Sequence, residues 1–147
     1  MRILIDADGC PVVDIAIKLA KEYHLACFIF CDTAHVFNKE GATTLTFSKG
    51  ADSVDFALVN RLIDGDIVIT QDYGLAAMCL ARRVVVLNQD GMEYTNHIID
   101  ALLLSRHTAK KIRNSGGKLK GPSKRMKKQD AAFEDTLRSL LMQSPRK

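Results

Sequence analysis

Residues 2–32 have the sequence RILIDADGCPVVDIAIKLAKEYHLACFIFCD, and this stretch establishes the architecture of the chain. The runs RILID (2–6) and LACFIFC (25–31) each predict a strand buried on both faces, because they are apolar without a polar alternation. Between them, Pro11 suits the first position of a helix that continues to about residue 23. A strand, a helix and a second strand form the unit from which parallel sheets are built.

The same alternation continues through the rest of the chain. Further strands are predicted at TLTF (44–47), DIVIT (66–70) and RVVVLN (83–88), and helices at 52–64, 73–81, 94–107 and 131–142. We therefore predict one α/β domain over residues 1–147, with a mainly parallel sheet between two layers of helices.

Charge is distributed unevenly along the chain. Residues 1–105 carry 8 Lys and Arg against 14 Asp and Glu, whereas residues 106–147 carry 13 against 3. The segment 110–128 contains three glycines, a proline and no acidic residue, which predicts a basic loop at about 108–129. An acidic body with a basic tail indicates a polyanionic partner, although a solvated segment without a partner is the alternative. The side chains expected to contact nucleic acid are Lys118, Lys120, Lys124, Arg125, Lys127 and Lys128.

The composition also bears on the compartment. Acidic residues interrupt every apolar run before it reaches membrane-spanning length, so no membrane segment is expected. The N-terminus begins a strand and lacks the pattern of a signal peptide, which predicts a cytoplasmic protein. The four cysteines form no C-x-x-C pair and are expected to be buried, reduced thiols. A zinc site built from Cys27, Cys31 and His24 is the alternative.

Acidic side chains follow each of the clear strands. Asp6 and Asp8 follow the first, Asp32 the second, Asp72 the third and Asp90 the fourth. Because the carboxyl ends of parallel strands line one edge of a sheet, these acids are expected to gather at that edge.

A helical acid, Asp55, is expected to face the same edge from the first turn of its helix. Neighbouring carboxylates remain ionised together when a cation neutralises them, and oxygen ligands suit Mg²⁺ and Mn²⁺. The sequence therefore predicts a divalent metal site. The alternative for Asp8, Asp52 and Asp72 is that each caps a helix.

Four motifs, IDADGCPV, CDTAH, GADSVDFALVNRLIDGDIVITQDYGLA and GPSKRMKKQDAAF, carry a family resemblance. Together they resemble the YaiI/YqxD family of bacterial proteins of unknown function, over nearly the whole chain. That family is in turn similar to PIN-like domains, which are metal-dependent ribonucleases with a parallel α/β/α fold. The resemblance thus implies a PIN-like fold, Mg or Mn as the cofactor, and RNA as the partner.

The resemblance also implies roles for particular residues. The first-strand acid is Asp6, the acid at the head of the central helix is Asp55 with Asp52 as its rival, and Asp72 completes the T-x-D motif that begins at Thr70. The resemblance implies that Asp8 is an added ligand or a residue that positions water, and Asp90 is a weaker match to a fourth acid. The expected catalytic residues are Asp6, Asp8, Asp55 and Asp72. The expected metal ligands are Asp6, Asp8, Asp52, Asp55, Asp72 and Asp90.

These patterns favour a metal-dependent nuclease that hydrolyses RNA phosphodiesters. One alternative is a non-catalytic module that binds RNA or metal. Another is a phosphatase similar to the haloacid dehalogenases, because DADG resembles their D-x-D-G motif and would make Asp6 the nucleophile. In that superfamily a later Gly-Asp pair ends a strand, whereas Gly65-Asp66 here begins one.

Overall fold

The computed structural model of the chain describes residues 1–32, 38–48, 53–114, 116 and 124–143. Its strands are β1 (Ile3–Asp6), β2 (Cys27–Asp32), β3 (Thr43–Phe47), β4 (Ile67–Ile69) and β5 (Val85–Leu87). Its helices are α1 (Val13–Glu22), α2 (Ser53–Asn60), α3 (Tyr73–Leu80), α4 (Asn96–Asn114) and α5 (Lys127–Gln143). Each of these elements overlaps one that the sequence pattern predicts.

The strands form one parallel sheet in the order β3-β2-β1-β4-β5. Ile3 of β1 is in register with Cys27 of β2 on one side and with Ile67 of β4 on the other. After β1, the chain adds β2 and β3 on one side of β1, and then adds β4 and β5 on its other side. This reversal places a topological switch point between β1 and β4, and open parallel sheets bind ligands at the carboxyl side of such points.

Helices cover both faces of the sheet, which confirms the three-layer α/β/α architecture. Successive strand side chains point to opposite faces, so Ile3 and Ile5 pack with the buried residues of α1 and α5. Leu4 points the other way and packs with the buried residues of α2, α3 and α4. Both faces of β1 are fully buried, as its uninterrupted apolar sequence predicts.

The turn after β5 packs tightly against α5. Gly91 has a φ of +83°, and a Cβ atom at this position would lie 2.7 Å from Thr136 Oγ1 and 2.8 Å from the carbonyl oxygen of Ala132. Only glycine combines this backbone conformation with so close an approach. The contact brings α5 beside the end of β5.

The predicted start of the first helix is wrong by two residues. Val12 is the N-cap of α1, so Pro11 precedes the helix and is not its first residue. Proline also fits the extended or turn conformation that leads into a helix, and its position alone does not separate the two cases.

The predicted basic loop at 108–129 is helical at both of its ends. Helix α4 continues to Asn114 because residues 108–113 include no glycine or proline and are rich in Ala, Lys and Arg, which favour helix. Helix α5 begins at Lys127, before the predicted start at 131, and its first turn is capped by Gln129, whose Oε1 accepts a hydrogen bond from Met126 N at 2.6 Å. No helix in the described part of the chain is long and apolar enough to cross a membrane.

Candidate active site

One hydroxyl group connects two of the predicted catalytic aspartates across the switch point. Thr70, which follows β4, is completely buried. Its Oγ1 donates a hydrogen bond to Asp6 Oδ2 at 2.7 Å and accepts one from Asp72 N at 3.0 Å. The carboxyl end of β1 and the start of α3 are thus held together by a single side chain.

Asp72 is the N-cap of α3, as the capping alternative predicts. Its Oδ1 accepts hydrogen bonds from Gly74 N at 2.8 Å and Leu75 N at 3.3 Å. The cap fixes the carboxylate at the edge of the sheet, and the side chain is exposed there. Capping and a place in the site are therefore compatible for this residue.

Asp8 has a different role from the cap that its position suggests. The N-cap of α1 makes no side-chain capping bond, so the capping expectation for Asp8 is wrong. Asp8 Oδ2 instead accepts a hydrogen bond from Asp32 N at 3.2 Å, which joins the ends of β1 and β2. Across the switch point, Gln71 Nε2 donates to the carbonyl oxygen of Gly9 at 2.7 Å and connects the two loops.

The electrostatics of Asp6 place the four predicted catalytic acids in one cluster. Burial, above all, raises the pKa of Asp6 from its ordinary value of 3.8 to about 6, while the hydrogen bond from Thr70 opposes the rise. The negative charges of Asp55, Asp8 and Asp72 add to it, and Asp55 contributes the most of the three. The acids of β1, the following loop, α2 and α3 are thus close enough to interact. We call them the carboxylate rim: Asp6, Asp8, Asp55 and Asp72.

The sixth predicted metal ligand, Asp90, lies in a separate ionic contact. Arg125 donates to Asp90 Oδ1 at 2.8 Å, to Asp130 Oδ1 at 2.8 Å and to the carbonyl oxygen of Gln89 at 2.7 Å. Gln129 Nε2 also lies 3.3 Å from Asp90 Oδ1. Asp90 is predicted to bind metal and Arg125 to contact nucleic acid, but in the structure the two side chains bind each other. Each would have to give up this contact to take its predicted role.

The donor chemistry of the carboxylate rim fits a hard divalent cation. Within the described residues, no three His, Cys, Asp or Glu side chains converge in a geometry ready to bind a metal ion. Besides burial, repulsion from Asp55, Asp8 and Asp72 favours protonation of Asp6 in the rim. A bound cation would remove that repulsion, and carboxylate oxygens are the donors that Mg²⁺ and Mn²⁺ prefer.

The cysteines are free thiols within the core or partly within it. Cys27, Cys31 and Cys79 are buried and Cys10 is half-buried. Burial raises the pKa of Cys27 and of Cys79 to about 12, and that of Cys10 to about 11. The thiols of Cys10, Cys27 and Cys79 therefore stay protonated at neutral pH, which is the state expected of structural cysteines.

Several predicted site residues lie outside the described ranges. They are Asp52, Lys118 and Lys120. Of the other predicted nucleic-acid contacts, Lys124, Lys127 and Lys128 are exposed, and the last two belong to the first turn of α5.

The structure places two tyrosines near the rim that the sequence pattern does not single out. Tyr94, which is buried, donates from its hydroxyl to the carbonyl oxygen of Thr70 at 3.2 Å. Tyr73 follows Asp72 directly, and its hydroxyl accepts a hydrogen bond from Arg106 Nη1 at 2.9 Å. Nothing local in the sequence predicts these contacts, since they join residues 24 and 33 positions apart.

A groove of about 640 Å³ lies along the outer face of α1, and none of the rim acids lines it. Its charged side chains pair across it, for example Lys39 Nζ with Asp14 Oδ1 at 3.0 Å. Such paired charges at the surface are typical of a solvated face, and we do not assign the groove a ligand.

Comparison with known proteins reveals close relatives. Residues 4–143 match the model of a family described as uncharacterised, the YaiI/YqxD family. The chain is 55% identical over 141 residues to a "UPF0178 protein" of Exiguobacterium sibiricum, covering 96% of each chain. It is 48% identical over 137 residues to a "UPF0178 protein" of Ruminiclostridium cellulolyticum, covering 93% of this chain and 90% of the relative. No solved structure gives a significant match.

Proposed function

The chain belongs to the uncharacterised YaiI/YqxD family, and from this premise we propose that it is a metal-dependent nuclease that hydrolyses RNA phosphodiesters. The observation that carries the proposal is the carboxylate rim at the switch point of the sheet. Burial, and after it the charges of three acids from three different segments, raise the pKa of a fourth acid, Asp6, at the place where open parallel sheets bind ligands.

A purely structural role does not account for this arrangement. Placing Asp6 half-buried among three other carboxylates costs stability, because burial and repulsion both oppose its ionisation. Natural proteins retain such costs mainly at functional sites. The contrast is Asp66, which is fully buried but paired with Arg2 at 2.6 Å, as a structural acid should be.

In the proposed site, Asp6, Asp8, Asp55 and Asp72 would hold one or two Mg²⁺ or Mn²⁺ ions. When bound, such a cation activates water and neutralises charge on the phosphate. The protein's own contribution is to hold the donors in place. Thr70 orients Asp6 through its hydroxyl, and the first turn of α3 orients Asp72.

The exposed lysines near α5 supply the attraction for a polyanion. Lys127 and Lys128 lie in the first turn of this helix, where the helix dipole disfavours positive charge. They therefore do not serve helix stability, and binding of phosphate is a consistent reason for their presence. The choice of RNA over DNA rests on the resemblance to PIN-like domains.

Asp66 does not supply the later acid that the phosphatase alternative requires. The Gly65-Asp66 pair precedes β4, so it lies at the amino edge of the sheet, opposite the edge at which Asp6 ends β1. Asp66 also accepts a hydrogen bond from Ile63 N at 2.9 Å in addition to its pairing with Arg2. Both contacts make it a structural residue.

The test is the initial rate of cleavage of a labelled single-stranded RNA with Mn²⁺ or Mg²⁺. The Asp72→Asn variant should lose at least about a hundredfold in kcat while it keeps its RNA affinity, because asparagine caps a helix as well as aspartate does but carries no charge. The matched control is Asp64→Asn, an exposed aspartate whose described partner is Arg83; its rate should equal that of the wild-type protein.

Two outcomes would count against the proposal. Equal activity in the Asp72→Asn variant and the wild-type protein would indicate a contaminating nuclease. If the purified wild-type protein cleaves no RNA or DNA with either metal, but still binds RNA in a salt-dependent manner, the chain is a binding module. Glutamine at Lys118, Lys120 and Lys124 should then reduce the salt slope by up to about 2, at about 0.7 per phosphate contact on a single strand.

A further inference from the structure

Helix α4 leaves the body of the protein beside the carboxylate rim. Its first half packs on the sheet through Ile99, which is buried, and through Leu102. From Leu103 to Lys111, every described side chain is exposed. Packing of an apolar face supplies most of a helix's stability in proteins, so the exposed second half of α4 is stabilised less by core packing than its first half.

The exposed half of α4 is strongly basic. Residues 105–111 have the sequence SRHTAKK, which includes three Lys and Arg and no acidic residue. Lys110 and Lys111 lie near the C-terminal end of the helix, where the helix dipole favours positive charge. Arg106 lies two turns before that end. The dipole therefore does not account for Arg106.

Arg106 is held in place by an aromatic partner that follows a rim residue in the sequence. Its Nη1 donates to Tyr73 Oη at 2.9 Å, and its guanidinium carbon lies 5.9 Å from the centre of the Tyr73 ring. Tyr73 directly follows Asp72, is the first residue of α3, and packs partly against the core. The pair thus places a fixed cation and a half-buried aromatic ring next to a predicted metal ligand.

We propose that Tyr73 and Arg106, with Lys110 one turn further along α4, form a contact site for single-stranded RNA beside the carboxylate rim. This inference rests on the proposed function, to which it adds a contact for the substrate. A guanidinium has five N–H donors, and Tyr73 accepts from one of them, so the group retains donors for a phosphate. Unstacked bases pack on tyrosine rings and on guanidinium planes, which duplex bases cannot do.

The charge pattern favours this partner over a second protein. The site joins a basic helix to an acidic rim, and a phosphate strand bound along the helix would reach the rim where a cation has neutralised it. Leu103 and Leu104 are exposed on the same helix, at 50% and 67% of their surface, and offer a small apolar patch to another chain. Self-association through that patch is the competing explanation that the experiment must separate.

The experiment measures the binding of a fluorescein-labelled oligouridylate of about 12 nucleotides by anisotropy, with Ca²⁺ as the cation so that the rim is neutralised, and a gel checks that the RNA stays intact. Arg106→Gln should weaken binding about tenfold and reduce the salt slope by about 0.7, as expected for one lost charge-assisted phosphate contact. The matched control is Arg83→Gln, an exposed arginine at the amino edge of β5, which should bind like the wild-type protein.

Tyrosine variants separate the ring from the hydroxyl. Tyr73→Phe keeps the ring but releases Arg106, and a loss of about threefold is expected; Tyr73→Leu removes the stacking surface and should cost about five- to hundredfold. Because Tyr73 is partly packed in the core, the exposed Arg106→Gln variant decides the question if the leucine variant does not fold.

The outcomes distinguish this inference from the proposed function. If the wild-type protein binds RNA and Arg106→Gln weakens that binding, the contact is supported. This holds even if no metal yields cleavage and the nuclease proposal fails. If the Arg106→Gln and Arg83→Gln variants both bind RNA as strongly as the wild-type protein, the contact is overturned, and the nuclease proposal is unaffected. Absence of RNA binding by the wild-type protein also overturns it, as does a loss of binding that follows only from a change in oligomeric state measured by light scattering.

Discussion

Replacement of Asp6 by asparagine should stabilise the metal-free protein at neutral and alkaline pH. The pKa of Asp6 is raised from 3.8 to about 6 in the folded protein, mainly by burial. A raised folded-state pKa means that stability is fully present below pH 4, where both states are protonated, and is lost as the pH rises through about 6. Asparagine keeps an oxygen that accepts the Thr70 hydrogen bond but cannot ionise.

The size of the effect follows from the pKa difference. A rise from 3.8 to about 6 corresponds, at about 1.4 kcal/mol per pKa unit, to an upper value of about 3 kcal/mol above pH 7. With an unfolding entropy of about 2.1 cal/mol/K per residue over 147 residues, this equals an increase in Tm of about 10 °C.

The assay is urea unfolding of the wild-type and Asp6→Asn proteins in EDTA, from about pH 4 to about pH 8. The gain in the free energy of unfolding should be near zero at the acidic end and reach its full size above about pH 7. The control is Asp66→Asn, which replaces a fully buried aspartate that is paired with Arg2 and should destabilise the protein throughout. A pH-independent loss of stability in Asp6→Asn would refute the reasoning, because it would show that Asp6 is not opposed by burial and its neighbours.

Three further expectations follow from the same contacts. Mn²⁺ should raise the Tm of the wild-type protein, because a ligand that binds only the folded state stabilises that state. The Asp6→Asn, Asp72→Asn double variant should lose this rise in Tm, and an unchanged rise would place the metal elsewhere. Thr70→Val should destabilise the protein by about 1–3 kcal/mol in urea unfolding and raise the pKa of Asp6 further, because it removes the hydrogen bond that opposes the rise; an unaltered Asp6 titration by NMR would contradict this. Arg125→Met should cost about 2 kcal/mol in urea unfolding, since it leaves Asp90 without its cation; equal stability would mean that this ion pair is neutral in energy.

The local sequence is sufficient to predict the type of each element. The apolar runs of β1 and β2 identify strands buried on both faces, since no other location accommodates an uninterrupted apolar strand. The position of Asp6 at the end of such a run is likewise evident, because an acid there cannot continue into the core. The C-terminal end of α4 and the N-terminal end of α5 are harder to predict, because a lysine-rich sequence is compatible with both an exposed helix and a loop.

Strand order lies beyond the local sequence. Nothing in residues 66–72 states that β4 pairs with β1 and not with β3, since both pairings bury the same apolar side chains. That choice depends on how the helices pack on the two faces, and it alone creates the switch point at which Thr70 meets Asp6 at 2.7 Å.

The partners of single side chains divide in the same way. The sequence by itself determined that acids end several strands and that a basic segment follows residue 105, because charge and apolar periodicity are properties of adjacent residues. Only the tertiary structure decided that Asp90 pairs with Arg125, that Asp8 bonds Asp32 N, and that Arg106 rests on Tyr73. These contacts join residues 24 to 35 positions apart, and their energies are small enough that packing of the core, not local preference, selects them.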